Sequence, residues 1–351
     1  MRDVAVVSFA QAPSRRRVPE ANEVEILMPV VAEAVEKSGV PREKIGFTCS
    51  GSCDYLAGQP FAFVWGLEAI AAWPPIRESH VEMDGAWALY EAWVLLQEGE
   101  IDAALVYGFG KSSPGSIRDV MAMQLDPYYY APMWPDAVSL AALQARAMLD
   151  GTDHTEREMA EVAARSRRDA KANPHAQVTG DFDVDMILAE DYLVSPLRKS
   201  DCAPISDGAA VVVLAADDLA RSVSSRPAWI RGIDHRIEPH SLGARDLTTS
   251  ESTAVAAERA GALDDKLDVV ELLAPFTHQE LILRDALNLK NGSAINPSGG
   301  ALAANPVMAA GLIRIGEAAA RITDGSADRA LAHATSGPCL QQNLVCVLEG
   351  E

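Results

Sequence analysis

Cysteine is scarce in this chain of 351 residues: Cys49, Cys53, Cys202, Cys339 and Cys346 make five. An odd, thinly spread set excludes a dense secreted disulfide scaffold and points to reduced thiols in a cytoplasm. Cys49 and Cys53 have no second Cys/His pair at ligand spacing, so no structural zinc and no other metal is expected. Long apolar runs are missing as well. Nothing approaches the ~18 residues of a membrane span, and the opening MRDVAVVSFAQ is too short for a signal core ahead of Arg15, Arg16 and Arg17. The expectation is a soluble, untargeted protein. Positive charge is short too, with 30 Lys and Arg against 50 Asp and Glu and a formal net charge of -20, which argues against nucleic acid and membrane as partners. What remains is a globular balance, 48% hydrophobic and 23% charged, enough to bury a full core. At about 100–200 residues per domain the length suits two units, or one large fold built from two halves.

Periodicity sets out one grammar twice. Val4 to Phe9 reads as a buried strand, Glu23 to Glu36 as an amphipathic helix and Ile45 to Cys49 as a strand. Gly85 to Gln97 is apolar nearly all round, hence a buried helix, and feeds an interior strand at Ala103 to Tyr107. The last third predicts a strand from Ala228 to Ile233, a helix from Thr253 to Ala260, a strand from Leu267 to Leu273 and a helix from Leu281 to Leu287. After the loop INPSGGALAANP come a helix from about Val307 to Arg321 and a strand at Ala330 to His333. Repeated order implies a duplicated α/β unit. Residues 1–111 with 201–222 are then an N-terminal half and 223–351 a C-terminal half. Between them, 112–200 form an excursion long enough to be a lid or binding loop.

Four stretches carry a likeness: HVEMDGAWALYEAWVLLQEGEIDAALVYGFGKSS, PLRKSDCAPISDGAAVVVLA, ELLAPFTHQELILRDAL and INPSGGALAANPVMAAGLIRIGEAA, followed by HATSGPCLQQNLVCVLEG. In them the chain resembles the thiolase superfamily, and within it the sterol-carrier-protein-type thiolases and their lipid-transfer relatives. The resemblance implies a duplicated five-layered α-β-α-β-α thiolase fold, dimerisation through strands of the first half, and an acyl-CoA thioester substrate. It also implies a catalytic cysteine at the N-terminus of a buried helix, where the dipole and free N–H groups lower a thiol's pKa.

Here the chain departs from that pattern. Counted back without gaps from Gly108, the nucleophile's position holds Glu82, and no cysteine lies between Cys53 and Cys202. The family's Asn-Glu-Ala-Phe or His-Asp-Cys-Phe loop reads Leu273-Ala274-Pro275-Phe276, its Gly-His-Pro reads Ala304-Asn305-Pro306, and its late Cys-x-Gly thiol falls nearest Thr335. With each catalytic group changed, acyl transfer through a covalent thioester is excluded. A thioester pocket with oxyanion donors from Gly299, Gly300, Asn305 and helix N-termini can still stabilise the enolate released by retro-aldol cleavage.

Glu82 and Asp84 are candidate acid or base, since a carboxylate in an apolar pocket has a raised pKa. The alternatives are a cation partner across an interface for Glu82 and a helix cap for Asp84. His80 can orient either one or be a core histidine. His278 and His333 can bring an imidazole to the pocket, though His278 can equally start a helix facing solvent. Asn305 can donate to a thioester oxygen but not act as a base. Ser298, Gly299 and Gly300, with Asn296, shape a tight loop against the acyl-CoA. In the excursion, Arg165 and Arg168 either bind its phosphates or form a solvated face paired with Glu156, Glu158 and Glu161. Tyr128, Tyr129, Tyr130 and Trp134 either wall a sterol-sized pocket or form an interface. Cys202 and Cys339 read as packing.

The leading expectation is a thiolase-like subunit of a CoA-dependent aldolase, a carbon–carbon lyase acting on a 3-hydroxyacyl-CoA of a steroid side chain. It needs no cofactor beyond the acyl-CoA substrate. The second is a non-catalytic degenerate subunit that stabilises or completes a catalytic thiolase-like partner, and the third an acyl-CoA or sterol carrier. The partners implied are a thiolase-like chain in a homo- or heterodimer and a small acyl-CoA-binding protein of OB-fold/zinc-ribbon type.

Overall fold

The computed structural model describes residues 2–71, 75–289 and 292–351. In the first half lie β1 (Val4–Gln11), β2 (Ile45–Gly51), β3 (Arg77–Val81) and β4 (Ala103–Lys111). A two-stranded hairpin in the excursion, β5 (Tyr192–Val194) and β6 (Leu197–Arg198), precedes β7 (Asp207–Ala216). The second half adds β8 (Ala228–Ile237), β9 (Val269–Leu272), β10 (Ala294–Ile295), β11 (Arg329–Ser336) and β12 (Gln342–Glu349).

Hydrogen bonding links ten strands in the order β10-β9-β11-β12-β8-β1-β7-β4-β2-β3. Inward from either edge, each half runs third, second, fourth, fifth, first strand, so the duplication is visible as one strand order used twice. The halves join where β1 meets β8 at Ala5–Trp229 and Val6–Ala228.

Three apolar cores fill the spaces between layers. The middle one packs the helices Gly85–Gln97 and Ala310–Thr323 between the half-sheets through Trp87, Leu89, Leu312 and Ile315. An outer core sets Leu27, Val30 and Val31 of the helix Glu23–Ser38 against Val211 and Val213 of β7. The other outer core packs the helices Glu251–Arg259, Thr277–Ala286 and Ala137–Gly151 on β9, β11 and β12. The result is helix, sheet, paired central helices, sheet, helix: the expected five layers.

Local chemistry sets the element ends. Asn22 and Glu25 form a capping box at the start of Glu23–Ser38, and Gly39, at φ 64°, ends it. β7 is buried at every position because helices cover both faces of its sheet. No helix among the described residues is long and apolar enough to cross a membrane.

Candidate functional site

The two central helices start at one buried carboxylate. Asp84 caps Gly85–Gln97 by accepting the Ala86 N–H at 2.9 Å. Its oxygens also accept the N–H groups of Gly311 (2.9 Å) and Leu312 (3.0 Å), where Ala310–Thr323 begins. Burial pushes its pKa up, while these three donors and Arg314 oppose the shift. Asp84 therefore clasps the N-termini of both central helices, one from each half, and is not a free acid or base.

Glu82, two residues earlier, is exposed, and its Oε1 accepts the Asp54 N–H at 2.6 Å. It faces solvent, not an apolar pocket. Burial, and to a lesser degree the Glu82 carboxylate, push up the pKa of the neighbouring Cys53 thiol, whose Sγ accepts from Gln124 Nε2 at 2.9 Å. His80 does not orient either carboxylate. It lies on the edge strand β3 and stacks on Phe63, ring centroids 3.6 Å apart.

The segment 304–308 is drawn in against the same helix start. The Gly85 N–H donates to the Met308 carbonyl at 2.8 Å. A Cβ at Gly108 would sit 2.4 Å from the Met308 carbonyl oxygen, and one at Gly110 would sit 1.9 Å from that of Val307. Only glycine at the end of β4 admits so close a backbone approach. The Asn305 N–H donates to Ser206 Oγ at 3.0 Å, and its side-chain amide takes no hydrogen bond from the described residues. Thr335 Oγ1 is occupied, donating to the Gln342 carbonyl at 3.0 Å.

The loop Ser298-Gly299-Gly300 is buried, and its donors are spent internally, which corrects the expectation of oxyanion donors there. The Gly299 N–H donates to the Asn296 carbonyl at 2.8 Å and the Gly300 N–H to Ser298 Oγ at 3.3 Å. Ser298 donates through its N–H (3.1 Å) and Oγ (2.7 Å) to Glu271. Arg314 Nη1 lies 2.8 Å from Glu271 Oε2 and donates to Ser298 Oγ at 2.6 Å. The Glu271 and Arg314 side chains are 0% and 3% exposed, so the loop rests on a fully desolvated ion pair.

Phosphate binding by the excursion arginines also needs correction. Arg165 Nη2 donates to both oxygens of the buried Glu280 (2.7 and 2.6 Å), and Glu280 also accepts from Asn296 Nδ2 at 2.9 Å. Arg168 is exposed and bonds Asp169 at 3.2 Å. The helix Glu156–Asp169 thus uses one half-buried arginine as a strut to the buried Glu280 and turns the other to solvent beside its neighbour. Its sequence partners Glu156, Glu158 and Glu161 are not the ones these two arginines take.

His278 and His333 are both fully buried in the outer layer of the second half. His278 Nε2 lies 3.2 Å from Gln144 Oε1, and burial drops its pKa to about 3. His333 Nε2 lies 3.0 Å from Asn343 Oδ1, and burial drops its pKa to about 4. Along β11, Ala332 and Ala334 face the central helices while Leu331 faces the outer ones, so the alternation turns His333 outward. Both are core imidazoles. In the excursion, Tyr128 and Tyr129 are exposed, Tyr130 Oη accepts the Leu242 N–H at 2.8 Å, and Trp134 Nε1 donates to Asp119 at 3.2 Å.

Of the predicted residues, then, Asp84 joins the paired N-termini, Glu82 precedes it in the chain but faces solvent, Asn305 lies in the 304–308 segment whose Met308 carbonyl meets Gly85, and the imidazoles lie elsewhere. Sequence reasoning missed Glu271, Arg314, Gln144 and Asn343. The first two had a signal, a charge set in the apolar runs VVEL and GLIRIG.

No family model matches the chain. It is 25% identical over 233 residues to benzoylsuccinyl-CoA thiolase subunit BbsB of Thauera aromatica, across 58% of this chain and 60% of that protein. An acetyl-CoA acetyltransferase of Methanothermobacter thermautotrophicus is 26% identical over 272 residues, 69% of this chain and 70% of that one. Sterol carrier protein 2 of Gallus gallus is 25% identical over 348 residues, 86% of this chain but 63% of the longer protein. The chain thus spans less than two thirds of two of these three relatives. Among solved structures, the Ltp2-ChsH2(DUF35) aldolase superposes with a TM-score of 0.81 at 16% identity, covering 99% of this chain and 97% of that one. The fold is the thiolase fold, and the curated relatives are thiolases and sterol carrier proteins.

Proposed function

We propose that the chain is the thiolase-fold subunit of a CoA-dependent aldolase that cleaves a 3-hydroxyacyl-CoA, of a steroid side chain, in the cytoplasm and without an acylated intermediate. What supports this reading is Glu82, which the resemblance sets at the nucleophile's position and which lies two residues before the Asp84 that joins the starts of both central helices, with its own carboxylate facing solvent. The central helices keep their paired N-termini through Asp84, and the 304–308 segment keeps its place through Gly108 and Gly110. In the reaction the 3-hydroxyl proton leaves to a base and the C2–C3 bond breaks. Its electron pair moves into the thioester as an enolate, and C2 then takes a proton. An enolate oxygen needs a hydrogen-bond donor, and in this reading the unengaged Asn305 amide supplies it. Glu82 is the base in this reading. The aldolase named in the superposed structure supports the reaction class. The two-part name of that complex, and the subunit status of the Thauera protein, support an assembly with a second chain. We assign the partners as a thiolase-like chain docked on the exposed edge of β3 and a small acyl-CoA-binding protein.

A second reading, a non-catalytic subunit that completes a partner's site, is favoured by the scatter of acid–base groups: Asp84 is engaged by three N–H donors and both imidazoles are core residues. The two readings separate in an assay of 3-hydroxyacyl-CoA cleavage by the complex carrying Glu82→Gln or Asn305→Ala in this chain. Loss of at least a hundredfold in either variant, with the complex still assembled, places the chemistry here. Unchanged turnover in both makes this chain a scaffold.

A further inference from the structure

β1 pairs with β7 along its length to Gln11 but with β8 only at Ala5 and Val6. Beyond Val6 the second edge of β1 has no strand partner, and a groove of about 270 Å³ opens there. Its walls come from five parts of the chain: β1 itself, the end of the helix Glu23–Ser38 (Glu33, Lys37), the excursion (Asn173, His175), the edge of the 297–300 loop and the last turns of Ala310–Thr323 (Glu317, Arg321). That volume lies near the lower end of the range for small-molecule sites, roughly 300 Å³ and upward.

The groove holds two buried side-chain nitrogens without a protein partner among the described residues, Arg321 Nε and His175 Nδ1. Both acids facing it are engaged through one oxygen, Oε1. Glu33 Oε1 takes Lys37 Nζ at 2.5 Å, and Glu317 Oε1 takes Gln11 Nε2 at 2.6 Å and Asn173 Nδ2 at 3.1 Å. Arg321 stands one helical turn after Glu317, a spacing at which Glu–Arg pairs form. Yet Glu317 is turned to the two amides, and Arg321 has no carboxylate within 4.0 Å and no side-chain hydrogen bond among the described residues. Its Nε is buried without a protein partner, as is Nδ1 of His175 across the groove. A desolvated guanidinium N–H left unpaired is costly, and such groups in native proteins are satisfied by a ligand or solvent.

We propose that this groove binds a small anion, a carboxylate or phosphate group held by the Arg321 guanidinium and the His175 imidazole. The guanidinium's fork of donors fits either group bidentately. The proposal stands apart from the aldolase reading and does not depend on it.

Titration calorimetry on the full chain at low ionic strength, with inorganic phosphate and separately with acetate against a chloride background, tests it. The expected result is saturable one-to-one binding of at least one of the two, which also tells the two chemistries apart. Arg321→Gln should bind at least tenfold more weakly, His175→Phe should also weaken binding, and Arg168→Gln, an exposed arginine elsewhere, should match the wild type. Because Arg321 holds no partner in the fold, R321Q should unfold at the wild-type midpoint. No saturable binding of either anion, or equal binding by wild type, R321Q and H175F, would overturn the proposal.

Discussion

Arg314 and Glu271 lie where neither charge meets water, so removing one partner leaves the other charge buried and uncompensated. Arg314→Met should cost ~3–5 kcal/mol. The double variant with Glu271→Gln should recover part of that loss, read as urea midpoints of the three proteins. A double variant no more stable than Arg314→Met would show that the pair does not act as a unit. The buried histidines make a second residue-scale prediction. Their pKa values in the fold, about 3 for His278 and about 4 for His333, lie below the ordinary 6.5. The unfolded chain therefore binds protons that the native chain refuses. Stability is full above pH 6.5 and falls as the pH drops towards 4, each histidine adding at most ~1.4 kcal/mol per pH unit to the slope. Either His278→Gln or His333→Gln should flatten the wild-type loss between pH 6.5 and 4.5 in urea titrations. Equal slopes in wild type and both variants would contradict their burial as neutral rings.

At the scale of elements, the approach of the 304–308 segment to β4 is the contact most open to test. Gly110→Ala places a Cβ at 1.9 Å from a carbonyl oxygen that must move. The expected cost is ~1–3 kcal/mol, whereas Gly243→Ala, which meets nothing within 4 Å, should change stability by less than ~0.5 kcal/mol. Thermal unfolding of the two side by side checks it, and equal midpoints would mean that the segment is not wedged there. Elements of this kind were largely legible in the sequence. Gly85–Gln97 lies where its all-round apolar pattern puts it, and the repeated grammar of the halves appears as a repeated strand order. What periodicity cannot carry is partnership across the chain. Asp84 reads locally as one helix cap, but the second helix it caps bonds it through Gly311, 227 residues later. Arg165 reads as a surface charge because Glu280 is 115 residues away. For Glu82 the resemblance supplied a position in the fold, and only the structure shows its exposure.

On the scale of the whole molecule, the same architecture serves twice, and both central helices converge on one carboxylate, Asp84. On the proposed reading, in which Glu82 stands at the nucleophile's position, this architecture fits chemistry that uses the thioester's electrons without attacking its carbonyl. It also fits an assembly in which the edge strand β3 and the exposed Tyr128 and Tyr129 are covered by another chain. The most direct test is product analysis by mass spectrometry after incubating the assembled complex with a 3-hydroxyacyl-CoA in D₂O without free CoA. The account predicts a ketone or aldehyde together with a shorter acyl-CoA bearing one deuterium at C2, and no acyl group on this chain. An acyl adduct on the protein, or cleavage only when free CoA is supplied, would contradict it.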